Sequence, residues 1–264
     1  MGSMKVLAIA NQKGGSAKTT TTVTLAVALG ERGHRVLLLD MDPQCSATAW
    51  VSDLVEGDRA FVDALEGIAS FADQVKPSSV SGVDVIPGSA YLGALPQLLA
   101  ETPGPEMCLV EALSDLKADA YDVALIDCPP TMGLLVFAAM AASDSVLAPV
   151  EVSPMAVAGL DGLVKRIDKV RRRLNEKLDL VGVLSCRVND RTVLSRDVVA
   201  TLDEDFPGKL FKVGIREGVR VREAWAWKQS LLEFDPKGNA SEDYRAAALE
   251  LETRLGLMPV GDNQ

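Results

Sequence analysis

The chain has 264 residues, 48% of them hydrophobic, which suits one large domain with a substantial core. Its 27 Lys and Arg face 37 Asp and Glu, and a net charge of −10 excludes a surface that binds nucleic acid wholesale. No apolar run approaches the ~20 residues of a membrane-spanning helix, no secretory leader is visible, and Cys45, Cys108, Cys128 and Cys186 form no C-x-x-C pair, so a cytoplasmic protein with buried thiols is expected.

Met1-Gly2-Ser3 reads as a cloning remnant ahead of a native Met4. The first apolar run, Lys5 to Ala10, predicts a strand. It leads into Lys13-Gly14-Gly15-Ser16-Ala17-Lys18-Thr19-Thr20 and then a helix over Lys18 to Glu31. A glycine-rich turn between strand and helix is a phosphate cradle, because backbone N–H groups and the helix dipole converge on an anion. Lys18 then reaches the outer phosphates and the Thr19 hydroxyl reaches Mg²⁺. The pattern G-x-x-x-x-G-K-[ST] is not met, since Ala17 stands at the second glycine; the turn accepts that only with a negative φ. His34 is expected in a solvated turn.

Val36 to Asp40 is a second buried strand, and the chain continues Met41-Asp42-Pro43-Gln44. Strands follow at Val83 to Pro87, Val123 to Asp127, Ser145 to Val150, Leu180 to Arg187 and Lys209 to Ile215. Helices are expected over Tyr91 to Leu99, Glu106 to Ala118, Leu134 to Ala142, Ala156 to Leu178, Ser195 to Asp205, Val219 to Trp227 and Ser241 to Leu255. Continuously apolar strands alternating with helices predict an α/β, doubly wound, mostly parallel sheet with helices on both faces. Ligands bind such sheets at the carboxyl ends of the strands. Residues 4–258 are read as one domain and 259–264 as a tail. A carboxylate closing a buried strand is costly unless a cation or donor meets it, which singles out Asp42 and Asp127. Asp40 reads either as a cap for the next turn or as support for a metal.

The second lysine, Lys13, gives the loop its most particular feature. It resembles the deviant Walker A motif of the ParA/MinD group of P-loop ATPases. Val36 to Gln44 resembles that group's second acidic motif, and Val123-Ala124-Leu125-Ile126-Asp127-Cys128-Pro129-Pro130 its Walker B strand and switch. Val183 to Arg196 and Ile215 to Lys228 resemble the ParA branch. The resemblance implies ATP and ADP as ligands of residues 13–20, with Mg²⁺ at Thr19, Asp40 and Asp127. It implies catalytic roles for Lys13, Lys18 and Asp42, with Asp42 orienting the attacking water. Lys13 would reach across a homodimer to the partner's nucleotide.

The resemblance also implies non-specific double-stranded DNA binding by the ATP dimer, nucleoid association, and stimulation by a ParB-type centromere-binding protein. Arg191 and Arg220 match DNA-contacting positions of ParA proteins; Arg216 and Arg222 lie in the same stretch. There nine basic residues stand against seven acidic ones between Arg187 and Lys228. Lys165 to Arg173 adds a basic helical run, which alone is a solvated face. The Pro-Arg-Asn usual near Ile215 is absent, Glu217 falls where a basic residue is common, and Trp225 and Trp227 are expected to pack in the core or to face a partner. A protein-cargo ATPase and a MinD-like membrane ATPase are the alternatives. The second needs a cationic amphipathic terminal helix, whereas Ser241 to Leu257 carries Glu242, Asp243, Glu250 and Glu252, so no membrane partner is expected. An iron–sulfur relative needs paired cluster cysteines, and none partners Cys128.

Overall fold

The computed structural model describes residues 4–52, 59–117, 119–153 and 155–258. The N-terminal remnant, the 259–264 tail and Ala118, the end of one predicted helix, lie outside the described residues.

Leu37, Leu38 and Leu39 are all fully buried, as a strand covered on both faces must be. They sit in β2 (Val36–Asp40), one of eight strands with β1 (Lys5–Ile9), β3 (Lys76–Pro77), β4 (Val83–Ile86), β5 (Val123–Asp127), β6 (Ser145–Glu151), β7 (Asp179–Val188) and β8 (Ile215–Arg216). The sheet order is β3-β4-β2-β5-β1-β6-β7-β8. Every pairing is parallel except that of β3 with β4.

One face is covered by α1 (Lys18–Glu31), α2 (Ser46–Val51), α9 (Arg220–Ala226), α10 (Leu231–Phe234) and α11 (Asn239–Leu255). The other carries α3 (Ala60–Leu65), α4 (Leu95–Leu98), α5 (Cys108–Leu113), α6 (Leu134–Ala142), α7 (Ala156–Arg173) and α8 (Val193–Asp205). Helices on both faces of a parallel sheet are the doubly wound arrangement expected. All four cysteines are buried.

Several elements differ from expectation, each for a local reason. The predicted strand Lys209 to Ile215 shrinks to β8 and a single bridge from Leu210 to Val183. The Arg254 guanidinium takes the carbonyls of Val181, Lys209 and Leu210 at 2.9, 3.0 and 2.8 Å, alongside the two ladder hydrogen bonds between Val183 and the Lys209–Phe211 stretch. It also lies 4.3 Å from the centre of the Phe211 ring. Helix α7 stops at Arg173 rather than Leu178, since the Asn175 amide donates to the carbonyls of Ala141 and Ser143 at 3.0 and 2.7 Å.

Tyr91 to Leu99 begins as a 3₁₀ turn, with the Ser89 hydroxyl accepting from the Tyr91 N–H at 3.2 Å. Glu106 to Ala118 likewise opens as a 3₁₀ turn, Pro105–Met107. The short α2, α3, α10 and the two-residue β3 carry too little periodicity to be read from sequence.

His34 is not solvated. It is 3% exposed, and its Nε2 lies 2.7 Å from Oε1 of Glu252, whose other oxygen accepts from Arg32 at 2.7 Å. The cause is long-range: α11 packs on α1 and brings Glu252 over the turn.

Candidate functional site

The carboxyl ends of β1, β2 and β5 lie side by side, with Ile9 opposite Asp127 and Asp127 opposite Asp40. The glycine loop leaves β1 at this point. Gly15 takes φ 75° and Ala17 takes φ 65°, so the expectation of a negative φ at Ala17 is corrected. Ala17 is the N-cap residue of α1, and its carbonyl accepts from Thr21 at 2.8 Å. Ending the loop and starting the helix there demands a left-handed residue, at a cost of roughly 1–2 kcal/mol for alanine.

The Ser16 hydroxyl is buried and has no hydrogen-bond partner among the described residues. An orphaned buried donor inside a loop of this geometry fits a phosphate oxygen. A Cβ added at Gly14 or Gly15 would meet nothing within 4 Å, so the cradle opens onto free space.

Lys18 is 7% exposed. Burial pulls its ammonium below the ordinary lysine pKa, opposed chiefly by the charge of Asp127, then by Cys128 and Asp42. The Thr19 hydroxyl donates to Oδ2 of Asp127 at 2.7 Å and the Thr22 hydroxyl reaches Oδ1 at 3.0 Å. Burial, and after it the neighbouring Asp40, push the Asp127 carboxyl up to about 8. Such a carboxyl is held ready for a cation that would reverse the penalty. Among the described residues no group of three or more His, Cys, Asp and Glu is placed to hold a metal. A divalent ion would therefore take one hydroxyl, one carboxylate and oxygens of the nucleotide, the usual P-loop arrangement.

Asp40 does not join that set. Its Oδ2 accepts from the Thr48 N–H and hydroxyl at 2.8 and 2.7 Å, and its Oδ1 from Asp42 N–H at 3.2 Å. It caps the turn between β2 and α2, which is one of the two readings the sequence left open. Burial, which its hydrogen bonds to Thr48 oppose, pushes it up to about 6. The turn it fixes delivers Asp42, 9% exposed, whose Oδ1 accepts from Gln44 N–H at 3.0 Å.

The glycine loop and Asp42 open on one cavity of about 830 Å³. The loop from Gly14 to Thr20 lines it together with Asp42, Trp50, Pro130, Arg187, Glu217, Arg222, Trp225 and Tyr244. Lys13 is absent from this wall. Its Nζ lies 3.1 Å from the Ser153 hydroxyl and 3.5 Å from Oε2 of Glu151, whose other oxygen takes Arg187 at 2.9 Å. Lys13 is thus tied to Glu151 and Ser153, outside the cavity wall.

The four arginines read as DNA contacts separate. Arg191 is exposed and makes no side-chain ion pair among the described residues. Arg220 is exposed, paired with Glu223 at 2.9 Å and 5.8 Å from the Phe234 ring centre. Arg216 is committed inward, its Nε 2.9 Å from Oδ2 and its Nη2 2.7 Å from Oδ1 of Asp243, so it is corrected from a DNA contact to an internal tie. Arg222 lines the cavity. Trp225 and Trp227, 51% and 72% exposed, are not core residues. Sequence reasoning missed Glu151, Ser153, Arg187, Asp243 and Tyr244 as parts of this region. Asp243 counted only as surface charge on the terminal helix, with no local signal of its tie to β8.

Comparison with known proteins adds four findings. The family model described as an AAA domain matches residues 4–180. The sporulation initiation inhibitor protein Soj of Bacillus subtilis is 37% identical over 94% of this chain and 98% of its own. The chromosome partitioning protein ParA of Caulobacter vibrioides is 36% identical over 95% of each chain. The crystal structure of cobyrinic acid a,c-diamide synthase from Mycobacterium smegmatis with bound ADP and magnesium matches with a TM-score of 0.80. It is 29% identical, and the match covers 97% of this chain and 98% of that one.

Proposed function

This chain belongs to the ParA family within the ParA/MinD group of P-loop ATPases, and we propose on that premise that it is a DNA-partitioning ATPase switched by its own dimerisation. ATP closes two subunits face to face, the dimer holds double-stranded DNA without sequence preference, and a ParB-type partner stimulates hydrolysis to release it. Plasmid or chromosome DNA is the cargo.

Residues 14–20 bind the phosphates, with Lys18 on the outer oxygens, and Thr19 and Asp127 would hold Mg²⁺. When bound, that ion neutralises charge on the β- and γ-phosphate oxygens. Asp42 orients the attacking water. Lys13 crosses to the partner's nucleotide and adds positive charge there, as an arginine finger does.

The observation that carries this reading is the Thr19–Asp127 hydrogen bond beside the orphaned Ser16 hydroxyl, a Mg-nucleotide site in waiting. The position of Lys13 outside the wall of its own cavity supports a role across the interface. The diamide synthase shares the fold, and a fold hosts several reactions. Soj of Bacillus subtilis and ParA of Caulobacter vibrioides, both above 30% identity, carry sporulation and partition names, which favours the partition reading.

DNA binding rests on Arg191 and Arg220, both exposed. A few phosphate contacts per subunit, doubled in the dimer, make retention steeply salt-dependent. Arg191→Glu and Arg220→Glu are expected to abolish retention of non-specific duplex in a low-salt shift assay while sparing ATP turnover. Undiminished retention in both variants would contradict this placement. Nucleoid association follows from the same contacts. Among the described residues no helix is long and apolar enough to cross a membrane.

A further inference from the structure

The two flanks of the phosphate loop differ in chemistry. On the β2 and β5 flank stand Asp42, Asp127 and Pro130, the side where charge is handled. On the β7 and β8 flank stand Arg187, the Glu217–Val219 turn and α9, which brings Val221, Arg222 and Trp225 to the cavity wall. A nucleotide with its phosphates on Gly14–Thr20 and its terminal phosphate toward the carboxylates therefore extends its base toward α9.

Trp225 is 51% exposed while lining this cavity, an apolar ring left open to solvent at the mouth of a polar site. Arg222 lies one helical turn before it in the same wall and has no ion pair among the described residues. Spacing of three residues puts the two side chains on one helix face. The platform beneath them is fixed. Ala224 is fully buried, and the indole N–H of Trp50 in α2 donates to the Gln229 carbonyl just past α9 at 2.6 Å.

We infer that Trp225 is the stacking surface for the nucleotide base, with the Arg222 guanidinium as a second flat, cationic group against the ring. The inference rests on the cavity being the nucleotide site, and it goes further by assigning the base contact to α9. Stacking on an indole serves any base, because every base presents a π-face. The volume, about 830 Å³, is within the range that small-molecule sites span.

The test is isothermal titration of the full chain with Mg-ADP and with Mg-tripolyphosphate, a probe that keeps the phosphates and omits the base. Trp225→Ala is expected to weaken ADP roughly ten-fold and to leave tripolyphosphate unchanged. Trp225→Phe should retain most of the ADP affinity. Trp227→Ala, whose ring is 72% exposed and outside the cavity wall, should match the wild type with both probes.

Full ADP affinity in Trp225→Ala overturns the inference, and a simultaneous loss of partner-stimulated hydrolysis would assign the indole to a protein-facing surface. Equal losses of ADP and tripolyphosphate overturn it too, since they report a collapsed α9. A wild type that binds tripolyphosphate but gains nothing from the base also sinks it, with the phosphate site intact. A wild type that binds neither probe sinks the nucleotide-site reading itself.

Discussion

Replacing Asp127 by Asn is expected to stabilise the ligand-free protein, and to do so more as pH rises. Asp127 is fully buried, with its pKa pushed up to about 8 by burial and then by Asp40. A carboxyl whose folded pKa lies above its unfolded value supports the fold while protonated. That support is present below about 4 and is lost as pH climbs through about 8.

Each pH unit of the window is worth about 1.4 kcal/mol. The full span would be several kcal/mol, but Asp40 supplies part of the cause, so removing one charge should recover about 2 kcal/mol at pH 8 and little at pH 5. Asn keeps the hydrogen bonds. Its oxygen accepts from Thr19, while its N–H₂ donates to Thr22, whose own hydroxyl hydrogen goes to the Lys18 carbonyl at 2.9 Å. Thermal melts in chelator without nucleotide, at pH 5 and pH 8, should show a rise of roughly 4–8 °C only at the higher pH, taking ~2–4 °C per kcal/mol for a domain of this class. ATP hydrolysis should be lost in the same variant. A variant less stable than wild type at pH 8, or a gain independent of pH, would refute the picture of a carboxyl poised for a cation.

Ala17→Gly removes a left-handed alanine worth roughly 1–2 kcal/mol of strain but adds roughly 0.4–1 kcal/mol of unfolded-chain entropy. A net gain of up to about 1.6 kcal/mol with unchanged nucleotide affinity is expected by chemical denaturation; a loss above about 1 kcal/mol would contradict the left-handed loop. Arg216→Ala leaves the Asp243 carboxylate, whose side chain is 8% exposed, with the backbone N–H of residue 216 at 2.9 Å but without its guanidinium, and should cost about 1–2 kcal/mol given the partial exposure of the arginine. At temperatures where the variant is folded its DNA retention should equal wild type, and a selective loss of DNA binding would return Arg216 to the interface.

The sequence carried the strands, the loop and the carboxylates because each rests on local chemistry. Continuous apolar runs define β1, β2 and β5, and their register alone sets Asp40, Asp127 and the loop side by side. What was illegible depended on distant partners. His34 is buried by Glu252, 218 residues away, and Arg216 is claimed by Asp243 across 27 residues. Asp40 left two readings open in the sequence, and Thr48, whose N–H and hydroxyl reveal its capping role, lies on the unread helix α2. A basic residue's type and spacing also say nothing of its direction. Of the four arginines, Arg216 and Arg222 both line the cavity, the first tied to Asp243, and two face solvent.

The account turns on Lys13 leaving Glu151 and Ser153 of its own chain for the nucleotide of a second copy. Light scattering of wild type and Lys13→Ala with Mg-ATP, in an Asp42→Ala background that blocks hydrolysis, measures this directly. The account predicts a dimer mass for the parent and a monomer mass for the Lys13 variant at equal ATP occupancy. An equally stable dimer in both would contradict it.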